Sequence, residues 1–164
     1  MTTPTADRPI IPRDYGIPTT TDGLLEWAHL DERLRDATVY WLATAGPGGV
    51  PRVRPLDGLW LDGVLYVGGS PATRWVRDIA ANGQVSVHLD GGWDVAILEG
   101  EAQILEHGVE RPIAERLAAM ATAKYPQYGM TVDSYTGPGP IAIRPRKAFG
   151  WTSFPTDVTR YTFG

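Results

Sequence analysis

Two hydrophobic periods alternate along this chain, and the changes between them mark out its elements. The first twenty or so residues carry neither period and are rich in Thr and Pro, so residues 1–21 are expected to form an extended arm. From Asp22 to Asp36 the spacing becomes helical: Trp27, Leu30 and Leu34 share one face, and Glu26, Asp31, Glu32, Arg33 and Arg35 cover the rest. At residue 38 the period drops to that of a strand. "TVYWLATA" (38–45) is β-branched and aromatic and stops at the turn signal Gly46-Pro47-Gly48-Gly49, after which "VPRVRPL" (50–56) completes a hairpin. "GLWL" and "VLYVGG" follow, joined by Asp62-Gly63, a pair that accepts the positive φ a tight hairpin turn requires.

The next segment, "GGSPATRWVRDIAANG", predicts a short helix with Ser70 as its N-cap, Pro71 in its first position and Asn82-Gly83 as its stop. "QVSVHL" (84–89) and "DVAILEGEAQIL" (94–105) predict another hairpin. A further helix is expected from Val109 to Lys124 with Ile113, Leu117 and Met120 on its buried stripe. Three short strands, "PIAIRP", "KAFGWTS" and "VTRYTF", close the chain. Few strands are separated by helices, so the expected class is mainly β (α+β). The expected architecture is an antiparallel barrel with peripheral helices, formed by residues 22–164 as one domain.

Composition narrows the function more than the fold. A length of 164 residues suits a single core. The net charge of -4 argues against nucleic acid as a partner, because phosphate backbones require a basic face. No stretch approaches the ~20 apolar residues of a membrane span, and the N-terminus has no apolar signal region, so a cytoplasmic protein is expected. The absence of cysteine removes disulfides, thiol nucleophiles and thiolate metal sites together. Nearly all the basic residues are arginine, a bias typical of GC-rich bacterial genomes.

Familiar catalytic signatures are missing: there is no G-x-G-x-x-G after a strand and no phosphate loop of the G-x-x-x-x-G-K type. His29, His88 and His107 are far apart in sequence, and His88 alternates with Val87 and Leu89 in a strand that turns it away from the core. No metal site is expected from them. Arginine is what stands out. Arg52 and Arg54, two apart on one strand, leave the same face. Ser70 and Thr73 open a helix whose free N–H groups suit a phosphate, and Arg74 and Arg77 are neighbours on its surface. Guanidinium groups grip phosphate bidentately. The bland alternative is a solvated face whose ion pairs contribute ~0–1 kcal/mol each. Trp60 and Trp151, beside turns, are either core residues or walls for a planar ligand.

The ordered series from "YWLATAGPGGVPRVRPLDGLWLDGVLYVGGSPATRWVRDIAANG" to "QVSVHLDGGWDVAILEGEAQIL", and on to "RPRKAFGWTSFPTDVTRYTF", resembles the pyridoxamine 5'-phosphate oxidase-like superfamily, in particular its actinobacterial flavin- and deazaflavin-dependent oxidoreductases. The resemblance implies a split β-barrel that forms a homodimer with cofactor sites at the subunit interface. It implies that Arg52, Arg54 and Pro55 line the cofactor strand and that Gly69, Ser70, Thr73, Arg74 and Arg77 hold the cofactor's phosphate. Trp151 and Arg160, on the closing strands, would reach the same or the partner's site. The implied activity is hydride transfer between the deazaflavin F420 and a small organic acceptor, with FMN as the alternative cofactor. An FMN-dependent oxidase of pyridoxamine 5'-phosphate and a non-catalytic flavin carrier are the other readings. Two positions depart from the pattern: Trp75 stands where relatives carry lysine, removing a donor, and Asp78 replaces a common asparagine, adding a negative charge.

Overall fold

The computed structural model describes residues 3–164, so the first two residues of the expected arm lie outside it. Nine strands and four helices make up the described chain. In order they are β1 (Thr5–Asp7), α1 (Trp27–Asp36), β2 (Tyr40–Ala45), β3 (Pro51–Leu56), β4 (Leu59–Leu61), β5 (Val64–Gly68), α2 (Arg74–Ala81), β6 (Gln84–His88), β7 (Val95–Ile104), α3 (Arg111–Lys124), α4 (Asp133–Thr136), β8 (Pro140–Trp151) and β9 (Thr159–Thr162). All pairings are antiparallel, in the order β1-β9-β8-β7-β6-β2-β3, with β4 and β5 branching off β8.

The split in the barrel lies on β8. The two closing segments expected as separate strands run together as this one strand, which pairs with β7 along its whole length. Its first part also holds β5, through Ile141 to Val67, and its last part holds β9, through Ala148 to Tyr161. A register shift between Glu99 and Gly100 on β7 bends the sheet where β8 changes partners.

The core has two compartments. Inside the barrel, Leu42, Leu65, Val87, Leu98 and Ile143 meet Leu30 and Leu34 of α1 and Val76 and Ile79 of α2. On the far side of β4 and β5, Leu59, Leu61 and Tyr66 pack under α3. β4 is buried on both faces for that reason, and Trp60, pointing inward, donates its indole N–H to Asp31 at 2.8 Å. Trp60 is therefore a core residue, and the planar-ligand role considered for it falls away. The buried stripe of α3 keeps Leu117 from the expected set but is otherwise shifted round the helix. Ala114, Leu117, Ala118 and Ala121 face the sheet, and Ile113 and Met120 flank them half-buried. Alanines admit a closer helix–sheet approach than the larger side chains would.

The start of α1 and the arm before it differ from the sequence reading. α1 begins at Trp27, because the residues from Asp22 onward are tied to the opposite end of the chain: Leu25 N–H donates to Thr159 Oγ1 and Tyr161 O–H to the Leu25 carbonyl. The arm, read as lacking a strand, contributes β1 on the edge of β9. The Arg8 guanidinium then fixes it by donating to the carbonyls of Thr20, Asp22, Thr156 and Val158.

Tyr125, just beyond α3, ties that helix to the barrel. Its hydroxyl accepts from Gly58 N–H and lies 2.9 Å from the carbonyls of Thr38 and Gly58. Replacing it with phenylalanine leaves a buried amide without a partner, so Tyr125→Phe is expected to cost ~1–3 kcal/mol in urea unfolding. A loss below a few tenths of a kcal/mol would show that the junction does not depend on that hydroxyl.

Candidate functional site

Two of the predicted arginines, Arg52 of β3 and Arg74 of α2, converge on Asp78 where the strand passes the first turn of the helix. β3 alternates exposed and half-buried positions, so Arg52 and Arg54 share its inner face, opposite Thr44 and Leu42 of β2. α2 is strongly amphipathic: Trp75, Val76, Asp78 and Ile79 are buried, and Arg74 and Arg77 face outward. The join between strand and helix is Asp78. Its side chain is 2% exposed and accepts from Arg52 Nη1 at 3.3 Å and from Arg74 Nε at 3.1 Å. Gly46 makes room for it, since a Cβ there would sit 2.5 Å from Asp78 Oδ1. The acidic departure noted in the sequence thus orients two of the predicted phosphate ligands from beneath. The two guanidinium groups that meet there outnumber the single carboxylate.

Arg54 is engaged differently. Its Nε is buried and has no hydrogen-bond partner, as is Thr44 Oγ1 one pair further along β2. A buried guanidinium N–H without an acceptor costs free energy unless something supplies one. Arg52, two residues away on the same face of β3, puts a second guanidinium on that face. The residues present therefore fit an anionic cofactor group.

Ser70 does not cap α2. The helix starts at Arg74 with Thr73 in the N-cap position, and neither side chain caps an amide of the helix. Ser70 and Thr73 instead close a turn: Thr73 N–H and Oγ1 donate to the Ser70 carbonyl at 2.9 and 2.7 Å, and Ser70 Oγ accepts from Ala72 N–H. Pro71 lies in that turn and not in the helix, because the tight exit from β5 at Gly68–Gly69 uses these residues first. Gly69 is required by Trp75. A Cβ at Gly69 would lie 2.1 Å from the indole, which is 5% exposed. Trp75 is thus part of the core.

The remaining predicted residues separate by face. Pro55 points outward from β3 and begins a row that crosses the barrel's outer surface through Trp41, His88, Ile97 and Phe149 to Arg160. Trp151 lies beside Phe149 on the same surface, edge-on to Phe154 at 5.8 Å. His88 stacks on the Trp41 indole with ring centroids 6.1 Å apart and planes within 4°. Five strand spacings, roughly 24 Å along the curved sheet, separate β3 from β9. Trp151 and Arg160 are therefore not brought to Arg52 and Arg74 within the chain. Arg160 donates to Asp7, and its Nε, like that of Arg54, is buried without a partner.

A cavity of about 620 Å³ opens next to the cluster, between the β3–β4 turn, the end of β5, and α3 and α4. Pro55 and Gly69 belong to its wall, so the anion-binding segment and the cavity share an edge. Four tyrosines also line it, Tyr66 on β5 and, beyond α3, Tyr125, Tyr128 and Tyr135. Sequence reasoning missed them, although three tyrosines within eleven residues of a Gly- and Pro-rich stretch were a usable signal. A larger hollow of about 760 Å³ lies between α1, β4 and α3, but its arginines are already paired, Arg35 with Asp31 and Arg116 with Asp62, its Lys124 donates to the Ala37 carbonyl, and none of the predicted site residues lines it. Among the described residues, no helix is long and apolar enough to cross a membrane.

Comparison with known proteins agrees with this architecture. The chain aligns with an F420 reductase at 19% identity over 72% of its length and 94% of the other chain, with a TM-score of 0.55. It aligns with an FAD-binding protein from Mesorhizobium loti at 19% identity over 85% and 96% of the two chains, with a TM-score of 0.59. The heme storage protein of Vibrio cholerae matches at 16% identity over 73% and 89%, with a TM-score of 0.56. Among curated protein sequences no match is found. The family model described as pyridoxamine 5'-phosphate oxidase matches residues 27–148, from the start of α1 to the C-terminal part of β8. With the strand order and the split at β8, that match establishes that the chain belongs to the pyridoxamine 5'-phosphate oxidase family.

Proposed function

We propose that this chain is an oxidoreductase that seats the phosphate of a flavin-type cofactor on Arg52, Arg54, Arg74 and Arg77. The observation that carries this reading is the convergence of Arg52 and Arg74 on the buried Asp78, with Arg54, its Nε unpartnered, two residues along the same face of β3. When bound, the cofactor's ring supplies the hydride chemistry. The protein's own part is to hold the anion, to orient the ring across Pro55 and Gly69, and to shape the cavity for a small organic acceptor. F420 is the favoured cofactor and FMN the alternative. The family resemblance and the structural likeness to an F420 reductase support a deazaflavin, and the arginine excess suits its polyanionic tail.

The proposed working unit is a homodimer. Trp151 and Arg160 face away from the cluster of their own protomer, so they join a cofactor site only across two copies. The outer surface is suited to pairing, with Trp41, Ile97 and Phe149 half-buried on it and Val53 56% exposed. A carrier role is the second reading, favoured by the structural likeness to a heme storage protein. Turnover of reduced cofactor with any acceptor separates the two.

The test is direct. Arg54→Ala and Arg74→Ala are each expected to weaken F420 or FMN binding by ~1.5–3 kcal/mol, the range for a charge-assisted hydrogen bond, which is about ten- to 150-fold in Kd. Unchanged affinity in both variants would remove the phosphate assignment.

A further inference from the structure

We propose that the hollow between α1, β4 and α3 is a second binding site, in which Lys124 captures a neutral, flat aromatic aldehyde as an imine. The site is independent of the cofactor reading above, because none of the residues assigned to the cofactor lines it. Its volume of about 760 Å³ lies in the range of small-molecule pockets and admits a compound of two fused rings. Trp27 and Trp60, with ring centroids 6.5 Å apart and planes at 59°, give it an aromatic side. Such rings favour offset or edge-on contact with a flat ligand. α3 supplies another side, where Ala119 and Ala123, one turn apart, present only methyl groups. The ligand's charge follows from the lining. Arg35 is paired with Asp31 and Arg116 with Asp62, so an anionic ring would have to displace a carboxylate to gain an arginine.

Lys124, the last residue of α3, is half-buried on the wall of this hollow. Its Nζ donates to the Ala37 carbonyl at 2.8 Å and lies 6.0 Å from the centre of the Tyr40 ring. Burial holds the amine below its ordinary pKa, against the opposing pull of Asp36, so more of it is neutral than in a lysine surrounded by water. The neutral amine is the nucleophile. One N–H bound to Ala37 fixes its position and leaves the lone pair free. In the capture step the Nζ lone pair attacks the aldehyde carbon, the carbonyl oxygen leaves as water with two protons from nitrogen, and C=N replaces C=O. No group is oxidised or reduced, and the return of water releases the aldehyde. The only other lysine, Lys147, is exposed on β8 and serves as the reference amine within the same molecule.

Two aldehydes test the inference, 2-naphthaldehyde and acetaldehyde, each added to the full chain with cyanoborohydride to fix any imine as a stable secondary amine. Peptide mass spectrometry then reads the labelling rate at Lys124 and at Lys147. With 2-naphthaldehyde, Lys124 is expected to label at least tenfold faster than Lys147, and with acetaldehyde the ratio should be at least threefold smaller. Ala123→Phe, at an exposed position of α3, narrows the hollow without entering the core. It should slow naphthaldehyde labelling of Lys124 several-fold and leave acetaldehyde labelling within twofold. Saturating FMN should change neither rate. Equal labelling of the two lysines, the same ratio for both aldehydes, or indifference to Ala123→Phe would each overturn the inference. Protection of Lys124 by FMN would overturn it too, by placing the hollow within the cofactor site. Failure of F420 and FMN to bind, with the labelling pattern intact, would overturn the cofactor reading alone.

Discussion

Replacing Arg52 and Arg74 together by methionine is expected to destabilise the fold by ~3–5 kcal/mol, the usual cost of leaving a buried charge without its partners. Asp78 is 2% exposed, whereas Arg52 and Arg74 are 33% and 59% exposed. The asymmetry sets the ranking of variants. Removing the carboxylate returns two arginines to water, which solvates them, so Asp78→Ala is expected to cost less, ~1.5–3 kcal/mol for its charged hydrogen bonds. Removing both arginines strands a carboxylate that water does not reach. Each single replacement leaves Asp78 one partner, so the two losses should sum to less than that of the double variant. Adding Asp78→Ala to the double variant should recover most of the stability, because an apolar replacement of a complete buried ion cluster is often neutral. Urea unfolding followed by tryptophan fluorescence reads all of these. If Asp78→Ala costs as much as the double arginine variant, Asp78 is not the buried anchor of the cluster.

Gly69→Ala is the second large effect. The added methyl would lie 2.1 Å from one indole carbon of Trp75 and 2.9 Å from Val76 Cγ2, both in side chains held by the core. Overpacking of this kind costs ~1–3 kcal/mol or more, and the helix that carries Arg74 and Arg77 must shift to relieve it. The loss should therefore appear in cofactor affinity as well as in stability. Trp75→Leu in the same chain makes room, so the double variant is expected to be more stable than the sum of the two losses, by ~1 kcal/mol or more. Strict additivity would mean that the clash is relieved elsewhere. The experiment also tests what Trp75 does: as a core residue it fixes the helix that carries Arg74 and Arg77.

Much of this fold was legible in the residues because its strands and helices are strongly periodic. The hairpins around Gly46–Gly49 and Asp62-Gly63 and the stop at Asn82-Gly83 follow from turn chemistry alone. What escaped was set by tertiary contacts. β1 carries no strand pattern, since Thr5, Ala6 and Asp7 are all exposed and only the edge of β9 makes them a strand. α2 starts three residues later than a Ser-Pro pair suggests, because the exit from β5 needs those residues for its turn. The stripe of α3 was misjudged because alanine signals burial weakly, although small residues are what close approach requires. Of the site, the arginines on β3 and α2 were readable from spacing. The burial of Asp78 was not, since an acidic residue in an arginine-rich helix reads first as a surface partner. The phenolic cavity was not readable either, because it is assembled from the β3–β4 turn and a segment some seventy residues later in the chain.

The most direct test of the central claim is a titration of the purified protein with F420 and with FMN, read by quenching of its tryptophans, in the native chain and in Arg54→Ala. The account predicts saturable binding, tighter for F420 than for FMN, that weakens at least tenfold in the variant and at high salt. If neither cofactor binds the native chain, or if both bind the variant equally well, the arginine cluster is not a cofactor site and the proposed function fails.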